Sequence, residues 1–90
     1  MTPAAQRAED CRFIVRKILY GRPTASMPLD AIAHHADRLG ESFTIDELQA
    51  AADFLVGLEP AQVKRQPSSL GGSMRYQITS AGVLAYERNE

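Results

Sequence analysis

The sequence predicts a mainly α-helical domain with one small β-hairpin before a last helix, and three observations lead there. Between Met74 and Thr79, apolar Met74, Tyr76 and Ile78 alternate with Arg75, Gln77 and Thr79, the period of a strand with one buried face. Ahead of it, Pro67-Ser68-Ser69-Leu70-Gly71-Gly72-Ser73 is turn chemistry separating that strand from one at Val63 to Arg65, so residues 62–78 read as a hairpin. Everything upstream is helical in spacing, with caps or stops at the boundaries.

The first helix is expected over residues 3–20. Thr2 is an N-cap and Pro3 sits at the first helical position, where its missing N–H costs nothing. Gly21 and Pro23 stop the helix. Ala8, Cys11, Ile14, Val15 and Ile18 form its apolar stripe, and Arg12 and Arg16 give it a basic outer side. Phe13 and Tyr20 lie off that stripe, either as a broadened core or as a dimer seam. Residues 24–27 are too short to classify by pattern, and an edge strand pairing with the hairpin is one option.

A second helix spans residues 29–39, with Leu29, Ile32, Ala36 and Leu39 inward and Gly40 suited to the left-handed position after it. The third helix, 45–58, has the clearest start. Thr44 and Glu47 fit the T-x-x-E capping box, and Phe43 can staple onto Leu48. Leu48, Ala51, Ala52, Leu55 and Leu58 make its core stripe, and Pro60 ends it. At about 100° per residue, Asp46, Gln49, Ala50, Asp53 and Gly57 fall on the opposite face. After the hairpin, Thr79 caps a helix over 80–88, whose Val83, Leu84 and Tyr86 are expected to return to the first helix.

Ninety residues with 44% apolar and 23% charged content make one small domain. No run approaches the ~20 apolar residues of a membrane span and no export signal is read at the N-terminus, so the expectation is a cytoplasmic protein. Cys11 is the single cysteine, which excludes an internal disulfide and a cysteine-based zinc site. A small core residue is its expected role. Net charge is −1, but the distribution is uneven. Residues 1–22 carry five bases against two acids, residues 23–59 one base against seven acids, and residues 60–90 four bases against two acids.

The run Leu48-x-x-Ala51-x-x-x-Leu55-x-x-Leu58, then Val63-Lys64-Arg65 and Arg75-Tyr76-Gln77-Ile78-Thr79-x-x-Gly82, resembles the winged helix-turn-helix superfamily over about residues 27–88. Leu39-Gly40 ahead of the capped Thr44 is similar to the small stand-alone winged-helix proteins of Mu-like phages and prophages. The resemblance implies three helices, a two-stranded wing and a C-terminal helix. It also implies a third helix that enters the DNA major groove and a wing on the backbone or minor groove. Carried over by position, base-reading candidates are Asp46, Gln49, Ala50 and Asp53, and wing contacts are Lys64, Arg65, Ser73 and Arg75.

This chain departs from that pattern, because Asp46 and Asp53 would be repelled by a phosphate lattice. Two readings therefore stay open. The first is a transcriptional regulator or phage accessory factor that binds double-stranded DNA through one basic patch of Lys64, Arg65 and Arg75, helped by the first helix. The alternative is a protein-interaction or dimerisation module presenting Asp46, Asp53, Phe54 and Leu70, or Phe13 and Tyr20 across a homodimer. No cofactor or metal is expected, since His34 and His35 are adjacent and cannot chelate one ion as an i, i+4 pair would. No arrangement of nucleophile, base and oxyanion donors is legible, so no catalytic activity is expected.

Overall fold

The computed structural model describes residues 3–67 and 74–88. Among these the chain runs α1 (Pro3–Tyr20), β1 (Met27–Pro28), α2 (Leu29–Arg38), α3 (Ile45–Val56), β2 (Val63–Gln66), β3 (Arg75–Ile78) and α4 (Ser80–Glu87). It is a mainly helical domain with a small three-stranded antiparallel sheet in the order β1-β3-β2. Of the segment 24–27 only Met27 enters an edge strand, together with Pro28: Met27 pairs with Tyr76 and Pro28 with Arg75. On the other side of β3, Val63 pairs with Ile78, Lys64 with Gln77, Arg65 with Tyr76 and Gln66 with Arg75. Thr2, Leu70 and Ser73 lie outside the described residues.

Local chemistry sets the helix boundaries. The Thr44 hydroxyl accepts from the Glu47 N–H at 3.1 Å while the Glu47 carboxylate accepts from the Thr44 N–H at 2.9 Å, so α3 opens on a full capping box. At the end of α2, Gly40 has φ of 82°, and the Gly40 and Glu41 N–H groups return to the carbonyls of Asp37 and Ala36. That is a Schellman ending, in which glycine takes the left-handed conformation at no steric cost. Thr79 does two jobs: its hydroxyl accepts from the Gly82 N–H at 3.1 Å and donates to the Ala61 carbonyl at 2.6 Å.

The core lies between α1, α3 and the inner face of the sheet. Val15, Leu19, Ile32, Leu48, Ala52 and Val63 are fully buried, with Tyr76 the largest buried side chain. Fully burying a Val, Leu or Ile side chain among them contributes roughly 1.5–3 kcal/mol. Leu19, absent from the expected stripe of α1, belongs to this core. Three expected inward residues do not: Leu39 is 47%, Leu84 is 48% and Met74, just ahead of β3, is 46% exposed. Leu39 is the residue that ends α2, so the helix stops before it can face inward. In α4, Gly82 and Ala85 are the buried positions, which turns Leu84 outward. Helix α3 is also shorter than expected, ending at Val56 with Gly57 as its cap. Leu58 packs half-buried against the core from the loop beyond.

Glycine at position 82 follows from a close approach. A Cβ there would sit 2.1 Å from the Gln62 carbonyl oxygen and 2.7 Å from Ile78 Cγ1. The same carbonyl accepts the Thr79 N–H at 3.0 Å, which clamps the start of α4 to the residue before β2. No helix among the described residues is long and apolar enough to cross a membrane.

Candidate functional site

The expected site residues sit on α3 and the hairpin, and the pleat sorts the hairpin residues onto two faces. Val63, Arg65, Tyr76 and Ile78 share the inner face, where Val63, Tyr76 and Ile78 are buried. Lys64, Gln66, Arg75 and Gln77 share the outer face. Lys64 and Arg65 are neighbours in sequence and so point to opposite sides of the sheet. The single basic patch of Lys64, Arg65 and Arg75 expected from the sequence is therefore split.

Arg65 is committed to α3. Its guanidinium donates to Asp53 at 3.0 Å, and the same carboxylate oxygen accepts from the Tyr76 hydroxyl at 3.3 Å. Burial, then the Asp53 charge, push the Tyr76 hydroxyl above its ordinary pKa. The acidic outer face of α3 thus has a base after all, supplied from β2. Asp46, Gln49 and Ala50 remain exposed on that face. Between α3 and the hairpin lies an open cleft of about 480 Å³ lined by Leu29, Asp30, Ile45, Gln49, Arg65, Met74 and Tyr76. Gln49 and Arg65 meet there, alongside the exposed apolar side chains Ile45 and Met74.

On the outer face of the hairpin, Arg75 is held flat against the edge strand. Its Nε donates to the Ser26 hydroxyl at 3.0 Å and a terminal nitrogen to the Ser26 carbonyl at 2.8 Å. Among the described residues Ser26 takes two of the five guanidinium N–H donors of Arg75. Gln77 donates to the Pro23 carbonyl at 2.9 Å, and Lys64 is exposed.

Helix α1 engages most of its bases in contacts within the chain. Arg7 pairs with Glu47 and donates to the Ser42 carbonyl at 2.8 Å, with its guanidinium 4.7 Å from the centroid of Phe43. Arg12 lies 3.8 Å over the Phe54 ring, covering one face of a residue expected to be a free contact. Arg16 donates to the Gln62 amide oxygen at 3.0 Å. The basic outer side of the first helix is thus largely a set of struts to α3 and the loop before β2. Hydrogen bonding from Arg7, then from the Thr44 backbone, holds the Glu47 carboxyl at about 2.

Phe13 and Tyr20 meet Tyr86 of α4, with ring centroids 5.8 Å and 4.5 Å apart, and the Tyr20 hydroxyl donates to Glu87 at 2.8 Å. Within one chain Tyr20 packs half-buried against the core, while Phe13 rests on Tyr86 and stays 41% exposed. Cys11 is buried, and burial, then the Glu47 charge, push its thiol up to about 11. His34 is exposed and His35 half-buried, their rings 6.4 Å apart, and no group of three potential metal ligands occurs among the described residues. Comparison with known proteins finds no matching family, no matching curated protein and no matching solved structure.

Proposed function

We propose that the chain is a winged helix-turn-helix protein that binds duplex DNA, with the outer face of the hairpin along the phosphate backbone. The order of elements supports the fold: a helical pair, α2 and α3, leads into a hairpin whose sheet an earlier edge strand completes. The DNA reading rests on the outer face itself. Lys64, Gln66, Arg75 and Gln77 are two cations and two amides, with no carboxylate among them. Such a surface donates to phosphate oxygens and repels none. Helix α3 contributes little affinity, because Asp46 has no ion-pair partner among the described residues and Arg65 is spent on Asp53. Its one base-reading candidate is Gln49. The role this implies is a regulator of transcription or a phage or prophage accessory factor, not an enzyme.

Salt-titrated binding to random duplex DNA tests the proposal. Affinity should fall steeply with salt, and Lys64→Ala with Arg75→Ala should reduce the log–log slope by about two. Absence of binding at low salt would sink it.

One observation favours a second reading, a protein-interaction module. Ile45 and Met74 are 45% and 46% exposed at the rim of the cleft between α3 and the hairpin, with Asp30 lining the same cleft and Asp46 next to Ile45 in sequence. A basic, apolar peptide would suit that surface. Homodimerisation through α1 and α4, where Phe13 and Leu84 stay exposed, belongs to the same proposal and is tested by sedimentation.

A further inference from the structure

Residues 23–59 contain one base, Arg38, against seven acids. The fold carries that base to the basic end of α1. Lys17, Arg22, His35 and Arg38 line one open cleft of about 360 Å³, together with Ile18, Gly21 and Leu39, and no carboxylate among the described residues lines it. Neither ion pair among the described residues involves these bases. Lys17, Arg22 and Arg38 are all exposed.

Bringing like charges together without a counter-charge costs free energy. Helix ends offset part of that cost, since Lys17 lies in the last turn of α1, and His35 and Arg38 in the last turn of α2. That attraction fades beyond the last turn, so it does not account for Arg22. Burial, then the charges of Arg22, Arg38 and His34, hold the His35 imidazole below its ordinary pKa, which agrees with cations crowding one place.

We infer that this cleft is a binding site for phosphate groups, held jointly by Lys17, Arg22 and Arg38. Arginine forks match the oxygens of a phosphate in pairs, and lysine adds a compact charge. The open shape admits either a phosphodiester of a nucleic-acid backbone or a free polyphosphate. None of the described hairpin residues lines it, so the site stands whether or not the hairpin binds DNA.

The test is a titration of isotope-labelled protein with sodium triphosphate, followed by backbone amide shifts. Gly21, Arg22, Arg38 and Leu39 should move together at millimolar triphosphate. Combined Lys17→Ala, Arg22→Ala and Arg38→Ala should weaken binding by about tenfold, equivalent to roughly 1.4 kcal/mol. Arg22→Gln alone, at one exposed position beyond the helix, should weaken it about threefold. Lys64→Ala with Arg75→Ala should leave triphosphate binding unchanged. If the triple variant also loses duplex DNA affinity, the phosphate is that of a nucleic acid; if it loses triphosphate alone, the ligand is a free polyphosphate. Either result supports the site. Unmoved amides at Gly21, Arg22 and Arg38, or the same shifts in the triple variant, would overturn it.

Discussion

Gly82→Ala is the sharpest test of the packing described above. In an unhindered helix this change stabilises by about 1 kcal/mol through helix propensity. Here the added methyl would lie 2.1 Å from the Gln62 carbonyl oxygen, so about 1.3 Å of movement is needed to reach an ordinary 3.4 Å contact. The obstructing atom is backbone, and it is the acceptor for the Thr79 N–H at 3.0 Å. Overpacking of this kind costs about 1–3 kcal/mol, and loosening the hydrogen bond about 0.5–1.5 kcal/mol. Clash therefore outweighs propensity, with a net loss of about 2 kcal/mol from these midpoints. For a domain this small, that lowers Tm by about 8–16 °C. Urea denaturation and thermal melts followed by circular dichroism read it directly. Gly57→Ala is the control, because a Cβ there meets only ordinary contacts at 3.5 and 3.6 Å and φ is −81°. It should be neutral or slightly stabilising. A Gly82→Ala protein as stable as the parent would refute the close approach of α4 to the residue before β2.

Three further outcomes follow from named side chains. Asp53→Asn removes the partner of Arg65 and one carboxylate from α3, so duplex affinity measured by fluorescence anisotropy should rise a few-fold; a fall would count against the DNA reading. Glu47 is held at about 2 when folded against an ordinary 4.5, so it adds stability that is present above about 4.5 and lost as pH falls toward about 2. Glu47→Gln should flatten acid denaturation in that window, and an unchanged pH profile would show that the Arg7 contact does not persist in solution. Cys11, with its thiol raised to about 11, should react with a thiol reagent at pH 8 far more slowly than free cysteine, and at a rate that rises with added denaturant. Rapid labelling of the native protein would contradict its burial.

Features encoded within a few residues were the legible ones. Thr44 with Glu47, Gly40 after α2 and Thr79 before α4 are local signals, and each ends or begins an element where expected. Facing was harder to read, because it depends on what a helix packs against. Leu84 matched an apolar pattern, but the tight seat of Gly82 set the rotation of α4. The split of Lys64 from Arg65 was implicit in the strand period, yet adjacent basic letters read as one patch. What no spacing could reveal is the convergence of residues far apart in sequence. Arg65 meeting Asp53, Arg7 meeting Glu47, and Arg38 arriving beside Lys17 and Arg22 all depend on how the helices cross.

Consider finally the position of β3. It is paired on both sides, with β1 from before the helical pair and β2 from after it, so residues 29–62 form a span pinned at each end to one strand. Inside that span, α3 is tied again to the sheet through Asp53 with Arg65 and Tyr76, and through the Gln62 N–H to the Leu55 carbonyl. Helix and hairpin therefore behave as two jaws of one fixed gauge. Among the described residues these ties set the spacing of α3 from β2 and β3, so a molecule that touches both meets a span the fold has already chosen.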